Sequence, residues 1–99
     1  MARYDVHALG GGGGLVLDCQ ADLLSDLNTR FVVPLLAETE APRPAARLNP
    51  VFEIGEGHYL MATQYAAAIP ARELGPLITS LADRQWDIAN ALDMLISGF

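Results

Sequence analysis

Short alternating or apolar runs fill the chain up to about residue 80, and a helical rhythm takes over after it. Residues 4–8 are β-compatible, and five consecutive glycines, Gly10 to Gly14, follow, too flexible for the interior of an element. From 15 to 20 the chain alternates: Leu15, Leu17 and Cys19 point one way, Val16, Asp18 and Gln20 the other. That period of two predicts a half-buried strand, paired with 4–8 in a hairpin around the glycine loop. Residues 22–28 read as a turn or a single helical turn that exposes Leu23 and Leu24. Residues 29–36, with Phe31, Val32 and Val33, predict a buried strand. Pro34 marks an edge or a bulge there, because it has no N–H to give a ladder. The stretch 37–46, with Pro42, Arg43 and Pro44, reads as an exposed loop. A second hairpin is expected from 51–54 and 58–64 around a three-residue turn, Gly55-Glu56-Gly57. In 66–75 the alanines favour helix while Pro70 and Gly75 favour a short strand or loop.

From Ser80 the signal is clearer. Ser80 is a candidate N-cap with Asp83 three residues on. Leu81, Ile88, Leu92 and Leu95 recur at helical spacing as one apolar stripe, and Gly98 can end the helix. Stepping from Trp86 by four and three reaches Asn90, Asp93 and Ser97, on a face away from that stripe. Aromatic anchors among polar groups are typical of binding hot spots. The alternative is a Trp86 folded back on its own core. Several strands followed by one terminal helix predict a mainly β, small antiparallel barrel or sandwich with a helix packed on it, a single domain over 1–99.

Composition narrows the function. The chain has 99 residues, 52% of them apolar, enough to leave apolar surface for a partner such as a second copy. Its net charge is −6, and all six of its basic residues are arginine, with no lysine. A phosphate-backbone binder needs dense positive charge, so direct nucleic-acid binding is not expected, and an anionic membrane would repel the chain. No stretch approaches the ~20 apolar residues of a membrane helix. One cysteine, Cys19, excludes an internal disulfide, and residues 1–6 have no apolar signal core, so a reducing, cytoplasmic location is expected.

Catalytic chemistry is hard to place. The five glycines are not followed by Gly-Lys-Ser/Thr or by a helix, so they do not make a phosphate loop. His7, His58 and Cys19 lie in different segments without metal-ligand spacing, so neither metal nor cofactor is expected. Cys19 reads as a small buried hydrophobe rather than a nucleophile. The pairs Glu38 with Glu40 and Glu53 with Glu56 read as solvated faces. Arg43 and Arg47 concentrate two cations in a stiff loop, either simply solvated or able to meet an acidic partner.

Four stretches together resemble the CcdB family, the toxins of CcdA–CcdB toxin–antitoxin modules. They are Leu17-Asp18-Cys19-Gln20-Ala21-Asp22-Leu23-Leu24, Arg30-Phe31-Val32-Val33-Pro34-Leu35, Asn49-Pro50-Val51-Phe52, and the run from Ser80-Leu81 to Gly98-Phe99. The resemblance implies an SH3-like, CcdB/MazF-like barrel and a symmetric homodimer. It implies a cytoplasmic, non-enzymatic toxin that binds the DNA gyrase A subunit, traps the cleaved gyrase–DNA complex and takes part in transcriptional autoregulation. The gyrase contacts it implies are Leu23, Leu24, Trp86, Asp87, Asn90, Asp93, Ile96, Ser97, Gly98 and Phe99. A CcdA-like antitoxin is expected to touch Leu9, Gly10, Gly11, Gly12, Gly13, Gly14, Arg43, Arg47 and part of the gyrase surface. The plasmid-borne members end in Trp-Gly-Ile, and this chain has Ser97-Gly98-Phe99. A second reading is therefore a non-poisoning dimer that binds or sequesters antitoxin. A third is an endoribonuclease of the MazF type, which shares the barrel.

Overall fold

The computed structural model describes residues 2–98. It contains β1 (Asp5–Leu9), β2 (Leu15–Asp18), β3 (Thr29–Ala37), β4 (Val51–Ile54), β5 (Gly57–Met61), β6 (Ala67–Pro70), β7 (Leu74–Ser80) and the helix α1 (Gln85–Ser97). All strand pairs are antiparallel, in the order β4-β5-β3-β2-β1-β7, with β6 added on β3. The sheet curls until its two edges line one groove, Val51 to Glu53 from β4 facing Thr79 and Ser80 from β7. The mainly β architecture with one C-terminal helix is the one the pattern predicts.

The organising element is β3. One side pairs with β2 through Val32 to Leu35. On the other side Thr29 to Val32 pair with β6, and Leu35 to Ala37 pair with β5. Pro34 sits where the partner changes. It is interior, not the edge or bulge that the sequence implied. In an antiparallel ladder a residue's N–H and C=O face the same neighbour. The Pro34 carbonyl accepts the Ala62 N–H at 2.9 Å, so the missing N–H falls on the side where β6 gives way to β5.

Val6, Leu17, Val33, Leu35, Phe52 and Met61 meet Leu81, Ile88 and Ala91 in the core, with Leu92 packed against it. β2 is buried on both faces through Asp18 and on to Gln20, not half-buried as the alternation predicts. The reason is an internal ion pair. Arg30 donates to Asp18 Oδ2 through Nε at 3.0 Å and Nη2 at 2.6 Å, and both side chains are fully enclosed.

Other boundaries moved for local reasons. Ile54 pairs directly with Gly57, so the second hairpin turns on two residues, not three. Gly55 takes a positive φ of 62°, which glycine adopts without strain. Its return strand ends at Met61, before a 3-10 turn over Thr63–Tyr65. The ambiguous stretch holds β6 and a 3-10 turn over Ala71–Glu73. β7, absent from the sequence reading, is an edge strand, where Pro76 costs no ladder bond on the outer side. Gly75 is required there, since a Cβ would stand 2.6 Å from the Ala8 carbonyl oxygen. The glycine loop is partly ordered as a 3-10 turn over Gly10–Gly12, and His7 is buried on β1.

The helix starts four residues later than the Ser80 cap predicts: its N-cap is Arg84. Ser80 is the last residue of β7, its hydroxyl accepts the Ala82 N–H at 3.2 Å, and a 3-10 turn over Ala82–Arg84 intervenes. Leu81 is a core residue outside the helix, and Leu95 is exposed rather than part of the buried stripe. Ala91 supplies the second buried position beside Ile88. The last turn, Leu95 through Gly98, is exposed throughout, so helical spacing alone does not bury Leu95. Gly98 ends the helix in the left-handed region (φ 78°), its N–H donating to the Met94 carbonyl at 3.0 Å.

Candidate functional site

Two segments put large apolar side chains into solvent. On α1, Trp86 is 74% exposed and Ile96 76%. Asp87, Asn90, Asp93 and Ser97 are exposed beside them, while Ile88 and Ala91 on the opposite side are buried. Trp86 therefore does not fold back on the core. The helix is fixed by that buried side and at its start by Arg84. The Arg84 guanidinium lies over the Phe52 ring of β4, 4.7 Å from its centroid, and pairs with Asp87 at 2.8 Å. An exposed ion pair adds ~1 kcal/mol at most, so its use is to orient Asp87 and the helix start.

The second segment is the excursion between β2 and β3, where residues 21–28 are all exposed. It opens with a 3-10 turn over Asp22–Leu24, which settles the helical-turn alternative. Leu23 is 92% exposed and Leu24 48%. Leu27 is also exposed, and the sequence reading did not single it out. Its signal was available as a third leucine in a polar turn. The principal packing neighbours of α1 are the Thr63–Tyr65 and Ala82–Arg84 turns, so this leucine turn is not one of them.

The Arg43 and Arg47 loop does reach the helix. Arg47, Pro50 and Val51 line one groove of about 300 Å³ with Arg84, Asp87 and Asn90. Arg47 takes a positive φ of 68°, unusual for a non-glycine residue. The end of its loop is set by buried Asn49. The Asn49 Oδ1 accepts the Ala45 N–H, and Nδ2 donates to the Met61 carbonyl, both at 3.0 Å. Leu9, Gly13 and Gly14 line a separate groove of about 420 Å³ with Val16, Leu35 and Tyr59. Gly10, Gly11 and Gly12 form the exposed turn beside it. The sequence-derived target face and part of the antitoxin surface thus adjoin at Arg47, while the glycine loop stands on another groove. Phe99 lies outside the described residues.

Among the described residues, the candidate catalytic side chains sit in unlike settings. Burial pushes the Cys19 thiol up to about 12, helped by the Asp18 carboxylate and opposed by Arg3, so it is no thiolate at neutral pH. His58 pairs with Glu53 at 3.2 Å on the open surface. Arg30 is enclosed against Asp18. Among the described residues no three His, Cys, Asp or Glu side chains stand together to hold a metal. Among the described residues no helix is long and apolar enough to cross a membrane.

Solved structures share this fold, two of them mycobacterial. One is an endoribonuclease in complex with its cognate antitoxin from a mycobacterial species. It superposes with a TM-score of 0.76 at 14% identity, over 97% of this chain and 94% of that one. The other is a mycobacterial endoribonuclease, with a TM-score of 0.77 at 13% identity, over 97% and 90%. At that identity the likeness is one of fold, which does not carry activity with it. The sequence relationship is more specific: residues 3–98 match the family described as CcdB protein, and the chain belongs to it.

Proposed function

We propose that the chain is the toxin of a type II toxin–antitoxin pair. It acts as a homodimer that binds the DNA gyrase A subunit and holds the gyrase–DNA cleavage complex, and it does not itself catalyse a reaction. The observation that carries this reading is the outer face of α1. In a chain of the CcdB family, Trp86 and Ile96 stand in solvent beside Asp87, Asn90 and Asp93, on a helix anchored from behind. An apolar residue kept in water on a rigid element is a docking feature, because its burial on binding costs little ordering. A CcdA-like antitoxin is the second partner, at the Arg43 and Arg47 loop and the glycine loop. The mycobacterial neighbour solved with its antitoxin supports that assignment by analogy. Autoregulation and a cytoplasmic site of action belong to the same reading.

The test is a supercoiling and cleavage assay with purified gyrase. Linear DNA trapped after denaturing the enzyme should accumulate with added protein. No trapped complex at large excess, across several bacterial gyrases, sinks the proposal.

Ser97 favours a second reading. It is exposed where plasmid-borne members place tryptophan, and a hydroxymethyl group offers little stacking surface. A dimer that sequesters antitoxin without poisoning gyrase is then expected, and expression without antitoxin would leave growth unaffected. For ribonuclease action the chain's own residues offer little. Arg30 is sealed against Asp18, and exposed His58 contacts the Glu53 carboxylate. RNA cleavage lost on His58→Ala would restore that possibility.

A further inference from the structure

We propose that Gln20 is a positioning residue for target binding, whose carboxamide holds the leucine turn in its docking shape; this rests on the reading of Leu23 and Leu24 as target contacts. Residues 21–28 bury no side chain, so apolar packing does not hold this excursion. Its own bonds are local: the N–H groups of Leu24, Ser25 and Leu27 donate to the carbonyls of Ala21, Asp22 and Leu24. Such bonds shape a turn without tying it to the sheet. An exposed stretch of that length, held only locally, opens readily.

Among the described residues, three bonds tie it to the body before β3 begins at Thr29. The Arg3 N–H donates to Asp22 Oδ1 at 2.8 Å, and the Ala71 N–H donates to the Asn28 carbonyl at 2.8 Å. The third comes from Gln20, whose Nε2 donates to the Leu24 carbonyl at 2.9 Å. Only this one reaches the backbone of a contact leucine, and it does so from a buried side chain.

The carboxamide has no freedom to turn away. Its Oε1 accepts the Phe31 N–H at 2.9 Å. Phe31 N can only donate and Leu24 O can only accept, so the amide is fixed in one sense. The Gln20 N–H donates to Asp18 Oδ1 at 3.1 Å, and Asp18 is in turn held by Arg30. A chain of polar contacts therefore runs from the enclosed ion pair through Gln20 to the base of the leucine turn. Burying an amide is costly unless both ends are bonded, and here both ends meet backbone of segments that must stay in register. What the arrangement secures is one conformation of the turn before the target arrives, which spares the ordering cost of binding.

The experiment uses the full chain, with Gln20→Met, which keeps length but has no amide, and Gln20→Glu, which keeps the acceptor for Phe31 but loses the donor to Leu24. Amide hydrogen exchange, the unfolding midpoint and affinity for the purified gyrase A subunit are measured together. Both variants should exchange faster at Leu24, Ser25 and Leu27 while α1 amides stay protected. Both should bind about tenfold or more weakly. A role confined to global stability would instead lower the midpoint and loosen helix and turn alike. Unchanged exchange and affinity in folded Gln20→Met overturn the proposal. Should neither variant fold, the native chain decides: the same three amides exchanging at the rate of an open chain overturn it, and protection well above that rate upholds it. A Leu23→Ala, Leu24→Ala control separates the two levels. If it leaves affinity intact, the turn is no target contact and the proposal falls with that reading. If it weakens binding while the Gln20 variants do not, the proposal alone fails.

Discussion

The leucine turn and the outer face of α1 both keep large apolar side chains in water, but the chain holds them there by opposite means. The helix is fixed by apolar packing: Ile88 and Ala91 are buried in the core, and Leu92 packs against it. The turn buries nothing of its own and is fixed by polar bonds, among them one from Gln20 that continues a chain starting at the enclosed Asp18–Arg30 pair. Packing is non-directional and tolerates substitution of similar volume. A buried polar chain is directional and fails when one member is lost. The two halves of the proposed target surface should therefore answer differently to the same kind of change.

The largest difference is expected at Asp18. Asp18→Ala leaves the Arg30 guanidinium enclosed without its carboxylate. Loss of one partner of such a pair costs ~3–5 kcal/mol, more than the pair adds over an apolar substitute. Denaturant unfolding should show that loss, and hydrogen exchange should rise at the turn before it rises at α1. A cost below about 1 kcal/mol would mean that Arg30 escapes to solvent and that the polar anchor is dispensable.

Ile88→Ala tests the other half. Ile88 is fully buried, so truncation should cost ~2–5 kcal/mol through lost transfer energy and a cavity. The exchange pattern should invert, with α1 amides loosening and Leu24 and Ser25 unaffected. Equal loosening of both segments would show that they unfold as one unit and dissolve the contrast.

Trp86→Ala should move stability by only ~0.5 kcal/mol, because the ring lies largely in solvent. Affinity for the gyrase A subunit should fall by a factor of ~30 or more, the loss typical of an aromatic hot spot worth ~2 kcal/mol. A clear drop in the unfolding midpoint would return Trp86 to the core.

The same contrast explains what was legible in the sequence. Regular elements left a periodic trace, so α1, both hairpins and β3 could be read, and Trp86 stepping to Ser97 gave the exposed helix face. β7 could not be read, because Gly75 and Pro76 break the pattern for reasons that lie on neighbouring strands: the Ala8 carbonyl, and the free outer edge. The Ser80 cap failed because the serine ends a strand, and a local cap signal does not encode what precedes it. Asp18 and Gln20 looked solvent-facing because period two reports one covered face, and only pairing with Arg30 and Leu24 reveals the second. Leu23 and Leu24 were found as residue types, but what holds them had no trace in spacing.

Cys19 offers the smallest and most local test, since it sits between Asp18 and Gln20. Its thiol is raised from an ordinary value of 9.0 to about 12, first by burial, then by the Asp18 charge, with Arg3 opposing. The folded chain therefore keeps this proton in a range where the unfolded chain has lost it. The contribution is fully present below pH 9 and is lost as pH rises toward 12, with a slope approaching ~1.4 kcal/mol per pH unit. Cys19→Ala should flatten the fall of stability between pH 9 and 11 relative to the parent, whatever its offset at neutral pH. At pH 8, iodoacetamide should label the folded parent far more slowly than the denatured chain. Identical pH slopes in the two proteins would remove the thiol from the account. Labelling that tracks exchange at Leu24 and Ser25, rather than at Ile88, would instead show that the polar end of β2 opens with the turn.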